Sequence, residues 1–206
     1  MAGIDAQLDE DVRNSTVAYA PRAKFAWGGM AEVWRGEAEL SDGRVLPVAF
    51  KRVLPDLADS PMYRKLLQEE ARIGRLLRHP NIVRVHDGCE LHGSFVMVME
   101  FVEGATLREI FRHTHACGAR IPLAGSLCIA RALASALAAA HEALDEQGHA
   151  VSIVHGDVSP HNVLVAEDGA VKLMDFGLAT VLRARAGAPA STADGERLNL
   201  GGKPRY

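Results

Sequence analysis

A carboxylate and an amide can be brought together by a hairpin in the C-terminal half of the chain. Asp168-Gly169 separates the β-like runs "NVLVA" and "VKLMD", which is a strong signal for a β-hairpin. If those two residues form the turn, Asn162 faces Asp175, and facing residues lie about 4.5 to 5.5 Å apart at Cα. Two oxygen ligands at that separation suit Mg²⁺, although a polar hairpin end without a metal shows the same pattern.

A second carboxylate belongs to the same group. Asp157 stands five residues before Asn162, and the intervening "VSPH" can loop it back beside the pair. The order Asp-x₄-Asn followed by Asp-Phe-Gly, 18 positions from Asp157 to Asp175, resembles the catalytic loop and metal-binding segment of the protein kinases. The resemblance implies that Asp157 accepts the proton of a substrate hydroxyl, and that Asn162 and Asp175 bind Mg²⁺ together with ATP.

The resemblance continues at the N-terminal end of the chain. "AWGGMAEV", residues 26–33, resembles a glycine-rich turn with Gly28 at the middle glycine and Ala26 and Ala31 at the outer two. Small residues let a backbone approach phosphates closely, although a plain β-turn can have the same composition. By the resemblance, the nucleotide contacts of this segment are Ala26, Gly28, Gly29 and Val33.

A strand lysine follows the turn. "VAFK", residues 48–51, is similar to the lysine motif of the family. Strand alternation puts Ala49 and Lys51 on one face, where they suit adenine and phosphate respectively. A strand lysine on its own is more typical of a solvated sheet edge, so the role of Lys51 depends on the wider resemblance.

The helix predicted over 61–78 supplies a partner for Lys51. Its apolar stripe consists of Leu66, Ile73 and Leu77. At 100° per residue Glu70 lies roughly 20° beyond that stripe, whereas Glu69 is further away. Because an inward-facing carboxylate needs a partner, we expect Glu70 to pair with Lys51 as in the family, although a solvated Glu70 fits the helix as well.

The segment "FVMVMEFVEGATL", residues 95–107, resembles the hinge of the family; its residues alone indicate only a buried strand. The resemblance implies that Met99 borders the nucleotide, and that the Glu100 carbonyl and the Val102 amide form hydrogen bonds with adenine. It also assigns Leu164 to the nucleotide site.

The whole chain therefore resembles a bacterial eukaryotic-like serine/threonine protein kinase that phosphorylates serine or threonine of protein substrates. The switch from β-like runs to Ala-rich helix near residue 103 predicts a bilobal α+β fold. We divide it into an N-terminal extension (1–17), a β-rich N-lobe with one regulatory helix (18–102), and an incomplete, mainly helical C-lobe (103–206).

Composition excludes several other classes. The 206 residues are 48% hydrophobic and carry a net charge of −3, which argues against binding to a nucleic-acid backbone. Three cysteines without C-x-x-C spacing favour a reducing cytoplasm over a disulfide scaffold or a zinc site. We expect no membrane segment, because the uncharged stretch Ala132–Ala140 is too short to span a bilayer. The oligomeric state is not predicted.

Two residues of the catalytic loop depart from the family. Gly156 replaces an arginine that pairs with a phosphorylated activation loop, which weakens the case for phosphorylation at Ser191 or Thr192. Ser159 replaces a catalytic lysine, and the loss of that cation would slow transfer about 10²- to 10³-fold unless another group compensates.

The end of the chain raises two alternatives. "GGKPRY", residues 201–206, resembles the segment just before the A-P-E motif, which predicts a fragment or a truncated product. A non-catalytic nucleotide-binding pseudokinase or scaffold is therefore the main alternative. The "HGD" triplet, residues 155–157, is also similar to small-molecule phosphotransferases, which form the second alternative.

Overall fold

The N-terminal half of the molecule is an antiparallel β-sheet. The structure, a computed structural model, describes residues 7–8, 10–12, 14, 16–176 and 180–183. Five strands in this part of the chain pair in the order β1-β2-β3-β5-β4. They are β1 Ala18–Trp27, β2 Ala31–Glu39, β3 Val45–Val53, β4 Val85–Leu91 and β5 Ser94–Glu100. The predicted β-rich lobe is confirmed.

The first long helix, α1, spans Pro61–Leu76 and packs on one face of this sheet. Leu67 lies against Met97 of β5. Ile73 and Leu77 are buried as predicted, but they belong to the core of the helical half. The helix therefore contacts both halves of the molecule, and its position sets the geometry between them.

The buried stripe of α1 differs from the predicted one at one position. Leu66 is 38% exposed, whereas its neighbour Leu67 is buried. The small residues Ala71 and Gly74 let the helix approach the sheet, and a Cβ at Gly74 would lie 2.4 Å from Cγ2 of Val85. The contact line therefore follows Leu67, Ala71 and Gly74, one turn apart from each other on the helix.

The Asp168-Gly169 hairpin has a three-residue loop in place of the predicted two-residue turn, and the hairpin between β2 and β3, which contains Asp42-Gly43, has a three-residue loop as well. The amide of Ala166 donates to the carbonyl of Ala170 at 2.8 Å, which closes the second loop. Gly43 and Gly169 have φ values of 80° and 86°. A type I turn followed by glycine in the left-handed region gives this kind of loop, and Asp-Gly is compatible with either form.

The longer loop changes the register of the second hairpin by one residue. Val163 of one strand faces Leu173 of the other. Continuing that register puts Asn162 opposite Met174, and the carbonyl of Asn162 accepts a hydrogen bond from the Met174 amide at 2.9 Å. The predicted facing of Asn162 and Asp175 is therefore wrong, because a single-residue shift turns side chains to opposite faces.

The C-terminal half combines two helices with short strands. They are β6 Gly104–Thr106, α2 Leu107–Ala116, α3 Leu123–His141, β7 Val151–Val154, β8 Val163–Ala166, β9 Val171–Leu173 and β10 Thr180–Arg183. Strands β6, β8 and β9 form one sheet, and β7 pairs with β10. Ala136 and Ala140 of α3 pack with Ile153 and Leu173 in one core. The predicted bilobal α+β architecture with a partial helical lobe is confirmed.

Helix α3 is long and apolar enough to cross a membrane, by length and composition alone. No other described helix passes that test. Ala136 and Ala140 are fully buried inside the protein, whereas Leu123 and Leu127 are exposed. Core helices of soluble proteins pass the same test, so α3 by itself does not identify a membrane span.

The outer face of the five-stranded sheet is covered by residues that precede β1. Leu8 is buried together with Phe50 in an apolar cluster on this face. The carboxylate of Asp11 accepts hydrogen bonds from the amide of Ser41 at 2.9 Å and from its hydroxyl at 2.8 Å. The N-terminal segment is thereby attached to the loop between β2 and β3.

A buried carboxylate also lies on β2, directly after the glycine-rich turn. The Glu32 side chain is 3% exposed and lies 2.6 Å from Nζ of Lys24 and 2.5 Å from Nε of Arg52. Burial alone would raise the pKa of Glu32, but the two cations hold it at about 2. The ion pairs join β1, β2 and β3 at the end that carries the turn.

We expect Glu32→Gln to destabilise the protein by roughly 3 kcal/mol at pH 7, with a difference that shrinks in acid. The folded-state pKa of about 2 is lower than the ordinary 4.5, so this contribution is complete above pH 4.5 and is lost as the pH falls towards 2. Urea unfolding at pH 7 and pH 3 should show the difference falling to about half. Glu37→Gln, which breaks an exposed pair with Arg22, is the control and should change stability by less than about 1 kcal/mol. A Glu32→Gln difference that does not change with pH would contradict these ion pairs.

Candidate active site

Three charged side chains from separate elements meet between the two halves. Nζ of Lys51, on β3, lies 2.6 Å from Oε1 of Glu70, on α1. The same Nζ lies 2.5 Å from Oδ1 of Asp175, which follows β9. Lys51 and Glu70 are largely buried, and Asp175 is partly exposed. The predicted approach of Lys51 to Glu70 is present, and Glu69 forms a surface pair with Arg72.

The charges in this cluster depend on one another. Burial raises the pKa of Glu70, and the Asp175 carboxylate adds to that effect while Lys51 opposes it. Burial also opposes ionisation of Asp175, but Lys51 lowers its pKa below the ordinary value. Burial would lower the pKa of Lys51, yet Asp175 and Glu70 together raise it. Lys51 is therefore a fixed cation at neutral pH, suited to an anionic phosphate.

The catalytic-loop residues Asp157 and Asn162 are bonded to each other. Nδ2 of Asn162 donates to the backbone carbonyl of Asp157 at 2.9 Å and to its Oδ2 at 3.2 Å. The Asn162 side chain is buried, and the backbone amide of Asn162 donates to the carbonyl of Ser159 at 2.9 Å. These bonds fix the direction of the Asp157 carboxylate through backbone and side chain together.

His155 connects this loop to the segment that carries Asp175. Its Nδ1 accepts a hydrogen bond from the Asp157 amide at 3.2 Å, which makes Nε2 the protonated nitrogen. Nε2 then donates to the carbonyl of Met174 at 2.9 Å. The ring is fully buried and packs on Phe176 at 4.6 Å between centroids. His155 was not among the predicted site residues, although it begins the "HGD" triplet.

The predicted nucleotide residues of the N-lobe share one face of the sheet. Val33 faces Lys51 across β2 and β3, and Ala49 faces Met99 across β3 and β5. Facing residues of antiparallel strands point to the same side, as do Ala49 and Lys51, two positions apart. Gly28 and Gly29 lie in the exposed turn between β1 and β2, next to Ala26 at the end of β1.

The remaining predicted nucleotide residues lie where the two halves join. The Glu100 carboxylate accepts hydrogen bonds from the Arg84 amide and from Nζ of Lys172, both at 2.8 Å, which ties β5 to β9. Val102 follows in the connection to β6. Leu164 lies between the core residues Val163 and Val165 on β8, so it points away from that core.

The two departures from the family have different settings. Gly156 has φ of 77°, a left-handed conformation that glycine adopts easily and that would cost arginine about 1 kcal/mol or more. Ser159 supplies a carbonyl to the turn that holds Asn162. The predicted phosphorylation sites Ser191 and Thr192 lie outside the described residues.

The donor set at this site fits a cation that binds few protein ligands. No group of three or more His, Cys, Asp or Glu side chains forms a metal site in the described part of the chain. Asn162 and Asp175 offer one amide and one carboxylate, which is typical of Mg²⁺ shared with phosphates. In this structure Oδ1 of Asp175 binds Lys51 and Nδ2 of Asn162 binds Asp157, so the amide oxygen of Asn162 and a carboxylate oxygen of Asp175 are the atoms that would hold a cation.

Comparison with known families gives one extended match. The model of the protein kinase domain matches residues 27–196. The chain belongs to the protein kinase family. This match favours a protein kinase over the small-molecule phosphotransferases. The first 26 residues, including most of β1, lie outside the matched segment.

Among bacterial kinases, the chain is similar to the tyrosine-protein kinase MasK of Myxococcus xanthus, with 36% identity over 160 residues, 76% of this chain and 24% of that protein. It is also similar to the serine/threonine-protein kinase PrkC of Bacillus subtilis, with 37% identity over 155 residues, 75% of this chain and 22% of that protein. The kinase thus spans about a quarter of the length of the curated relatives it matches.

A solved structure agrees in fold. The crystal structure of the Mycobacterium tuberculosis PknI kinase domain superposes with a TM-score of 0.58 at 28% identity, over 79% of this chain and 60% of that chain. The overlap supports a bacterial eukaryotic-like kinase whose described residues cover only part of a kinase domain.

Proposed function

We propose that this kinase transfers the terminal phosphoryl group of ATP to serine or threonine hydroxyls of protein substrates. The observation that carries the proposal is the pairing of Asp157 with Asn162 beside the Lys51–Glu70–Asp175 cluster. Five residues from β3, α1, the catalytic loop and the segment after β9 thus lie close together, and they are the residue types that hold nucleotide phosphates and a cation and accept the hydroxyl proton in phosphoryl transfer.

Each side chain has a separate task in this proposal. The Asp157 carboxylate, directed by Asn162, orients the substrate hydroxyl and accepts its proton. Lys51 is held by Glu70 in position to bind nucleotide phosphates. Oδ1 of Asp175 lies against Lys51, and because a carboxylate has two oxygens, Asp175 would hold a cation while it keeps this contact.

Protein kinases use ATP and a divalent metal, and we propose Mg²⁺ bound by Asn162 and Asp175. When bound, Mg²⁺ neutralises charge on the phosphates and aligns them for transfer. The Asn162 amide nitrogen already donates to Asp157, so its amide oxygen is the atom suited to a cation.

Free Cys89, Cys117 and Cys128 support a cytoplasmic, reducing location as part of the same proposal.

A second candidate is nucleotide binding without transfer. Ser159 places no cation beside the transferring phosphate, and Gly156 cannot pair with a phosphorylated loop. Both observations favour slower chemistry, whereas neither affects the residues proposed to bind ATP.

The acceptor class is tested by phosphoamino-acid analysis. The full-length protein is incubated with labelled ATP, Mg²⁺ and a peptide library that contains serine, threonine and tyrosine acceptors. We expect label on serine and threonine, and no transfer when EDTA removes the metal. Label confined to tyrosine would refute the proposed serine and threonine acceptors. The library includes tyrosine peptides because the chain is similar to MasK, which is named a tyrosine-protein kinase.

The glycine-rich turn offers a test of nucleotide position that is separate from stability. A Cβ at Gly29 would have no neighbour within 4 Å, and at Gly28 the nearest atom would be 3.9 Å away. We therefore expect Gly28→Ala and Gly29→Ala to melt within about 2 °C of the wild type. Isothermal titration calorimetry should nevertheless show ATP affinity weakened about tenfold, or 1.4 kcal/mol, by at least one of them. Unchanged affinity in both variants would place the nucleotide away from this turn.

A further inference from the structure

A basic cavity lies beside the catalytic loop. It has a volume of about 440 Å³. Its lining residues are Arg108, Phe111, Arg112, His115, Pro160 and His161. A second depression shares Phe111 and His115 and adds Arg120. The chain as a whole is acidic, so this concentration of basic side chains is a local feature.

The helical repeat explains why the basic residues converge. Arg108, Phe111, Arg112 and His115 stand at positions i, i+3, i+4 and i+7 of α2 and share one face. All four are exposed, and Phe111 is 45% exposed. The face therefore presents two guanidinium groups and an imidazole around the Phe111 ring.

Among the described residues, no carboxylate lines this cavity. Glu109 is the one acidic residue of α2, and its Oε2 accepts hydrogen bonds from the Thr106 amide at 2.8 Å and the Thr106 hydroxyl at 2.7 Å. This capping box holds Glu109 at the start of the helix, and the Thr106 hydrogen bonds together with the nearby Arg112 cation lower the pKa of its carboxyl. Within the described residues Glu109 is thus the acidic neighbour of this face, and its carboxylate is already bonded to Thr106.

The cavity is joined to the catalytic loop by the backbone. The Arg108 amide donates to the carbonyl of Pro160 at 2.9 Å. His161, in the cavity wall, directly precedes Asn162, whose side chain is bonded to Asp157. His161 is four positions after Asp157, so the cavity lies no further from Asp157 than four extended residues reach, at about 3.3 Å per residue. A substrate with its hydroxyl at Asp157 therefore reaches the cavity with a side chain within about four residues of that hydroxyl.

We propose that the basic cavity binds an acidic side chain of the substrate, a carboxylate or a phosphate, within about four residues of the acceptor hydroxyl. The inference rests on the proposed kinase function and adds the substrate class. Arginine pairs with carboxylate and phosphate through two parallel hydrogen bonds, which gives geometric selectivity as well as attraction.

The test measures peptide binding and phosphate transfer separately. Labelled serine peptides carry glutamate, phosphoserine, alanine or lysine at each position from four before to four after the acceptor. Binding to the full-length protein is measured by fluorescence anisotropy without ATP. At the favoured position, we expect glutamate or phosphoserine peptides to bind at least about tenfold more tightly than lysine peptides. The ratio of glutamate to phosphoserine affinity then tells which anion the cavity prefers.

Charge reversal identifies the residues responsible. Arg108→Glu combined with Arg112→Glu should abolish or invert the preference, and Arg108→Gln combined with Arg112→Gln should remove it without adding like charges. Arg131→Glu, an exposed arginine on α3 outside the cavity, is the matched control and should keep the preference. Equal binding of acidic and basic peptides to the wild type, or a preference that survives both double variants, overturns this inference. The transfer arm, with ATP and Mg²⁺, decides the proposed function independently: absence of transfer to every peptide refutes that function even if acidic peptides bind.

Discussion

Replacing Asp157 by asparagine should reduce phosphate transfer at least about 10³-fold and leave ATP affinity within a few-fold of the wild type. The substitution removes the proton acceptor but keeps an oxygen that can accept the hydrogen bond from Nδ2 of Asn162. The loop should therefore hold its shape. Transfer rates and calorimetric ATP affinities of the two proteins provide the measurement.

Asp175→Asn is the control for that experiment, because Asp175 is proposed to bind the metal and not the hydroxyl. We expect it to weaken Mg²⁺-dependent ATP binding as well as transfer. If Asp157→Asn weakened ATP binding as much as Asp175→Asn does, the separate tasks assigned to the two carboxylates would be wrong.

The second large effect concerns two neighbouring glutamates. Glu70→Gln should lower kcat/KM about 10²-fold, because Lys51 loses its anchor on α1 and is drawn to Asp175 alone. Glu69→Gln should have almost no effect, because Glu69 pairs only with Arg72 at the surface. The two variants differ by one position in the chain and remove the same charge.

Steady-state kinetics and thermal melts of both variants carry out this comparison. The melts should remain close to the wild type for both variants, because the raised pKa of Glu70 shows that its charge does not stabilise the folded state at neutral pH. Equal kinetic losses in both variants would show that the Lys51–Glu70 pair has no special role in transfer.

The pairing of Lys51 with Glu70 could be predicted because helical projection and strand alternation are both periodic. Glu70 borders an apolar stripe, and that stripe must face the protein interior. The projection nevertheless put Leu66 in the core, since it weighs apolar character and ignores the close approach that Ala71 and Gly74 permit.

The hairpin register could not be predicted from Asp168-Gly169, because the dipeptide suits both a two-residue turn and a three-residue loop. The structure has the three-residue loop, and Asn162 lies opposite Met174. The hydrogen bonds that join His155 to Asp157 and Met174 were also not predicted. A buried histidine becomes part of a site only when its two nitrogens find partners from different segments, and sequence spacing does not show those partners.

The basic cavity was missed for a related reason. Arg108 and Arg112 are ordinary surface residues of an amphipathic helix when α2 is considered alone. They lie beside the catalytic loop only because the Arg108 amide donates a hydrogen bond to the carbonyl of Pro160. That contact joins residues 52 positions apart, and no local pattern predicts it.

The central claim is that the loop from Asp157 to Asn162 transfers phosphate and does not merely hold a nucleotide. A single-turnover experiment tests it most directly: full-length protein loaded with labelled ATP and Mg²⁺ is mixed with excess serine and threonine peptides, and labelled peptide is counted over time. The account predicts labelled peptide that forms in the wild type and is absent in Asp157→Asn. A folded wild type that binds ATP with Mg²⁺ yet labels no peptide, while Ser159→Lys restores labelling, would contradict it.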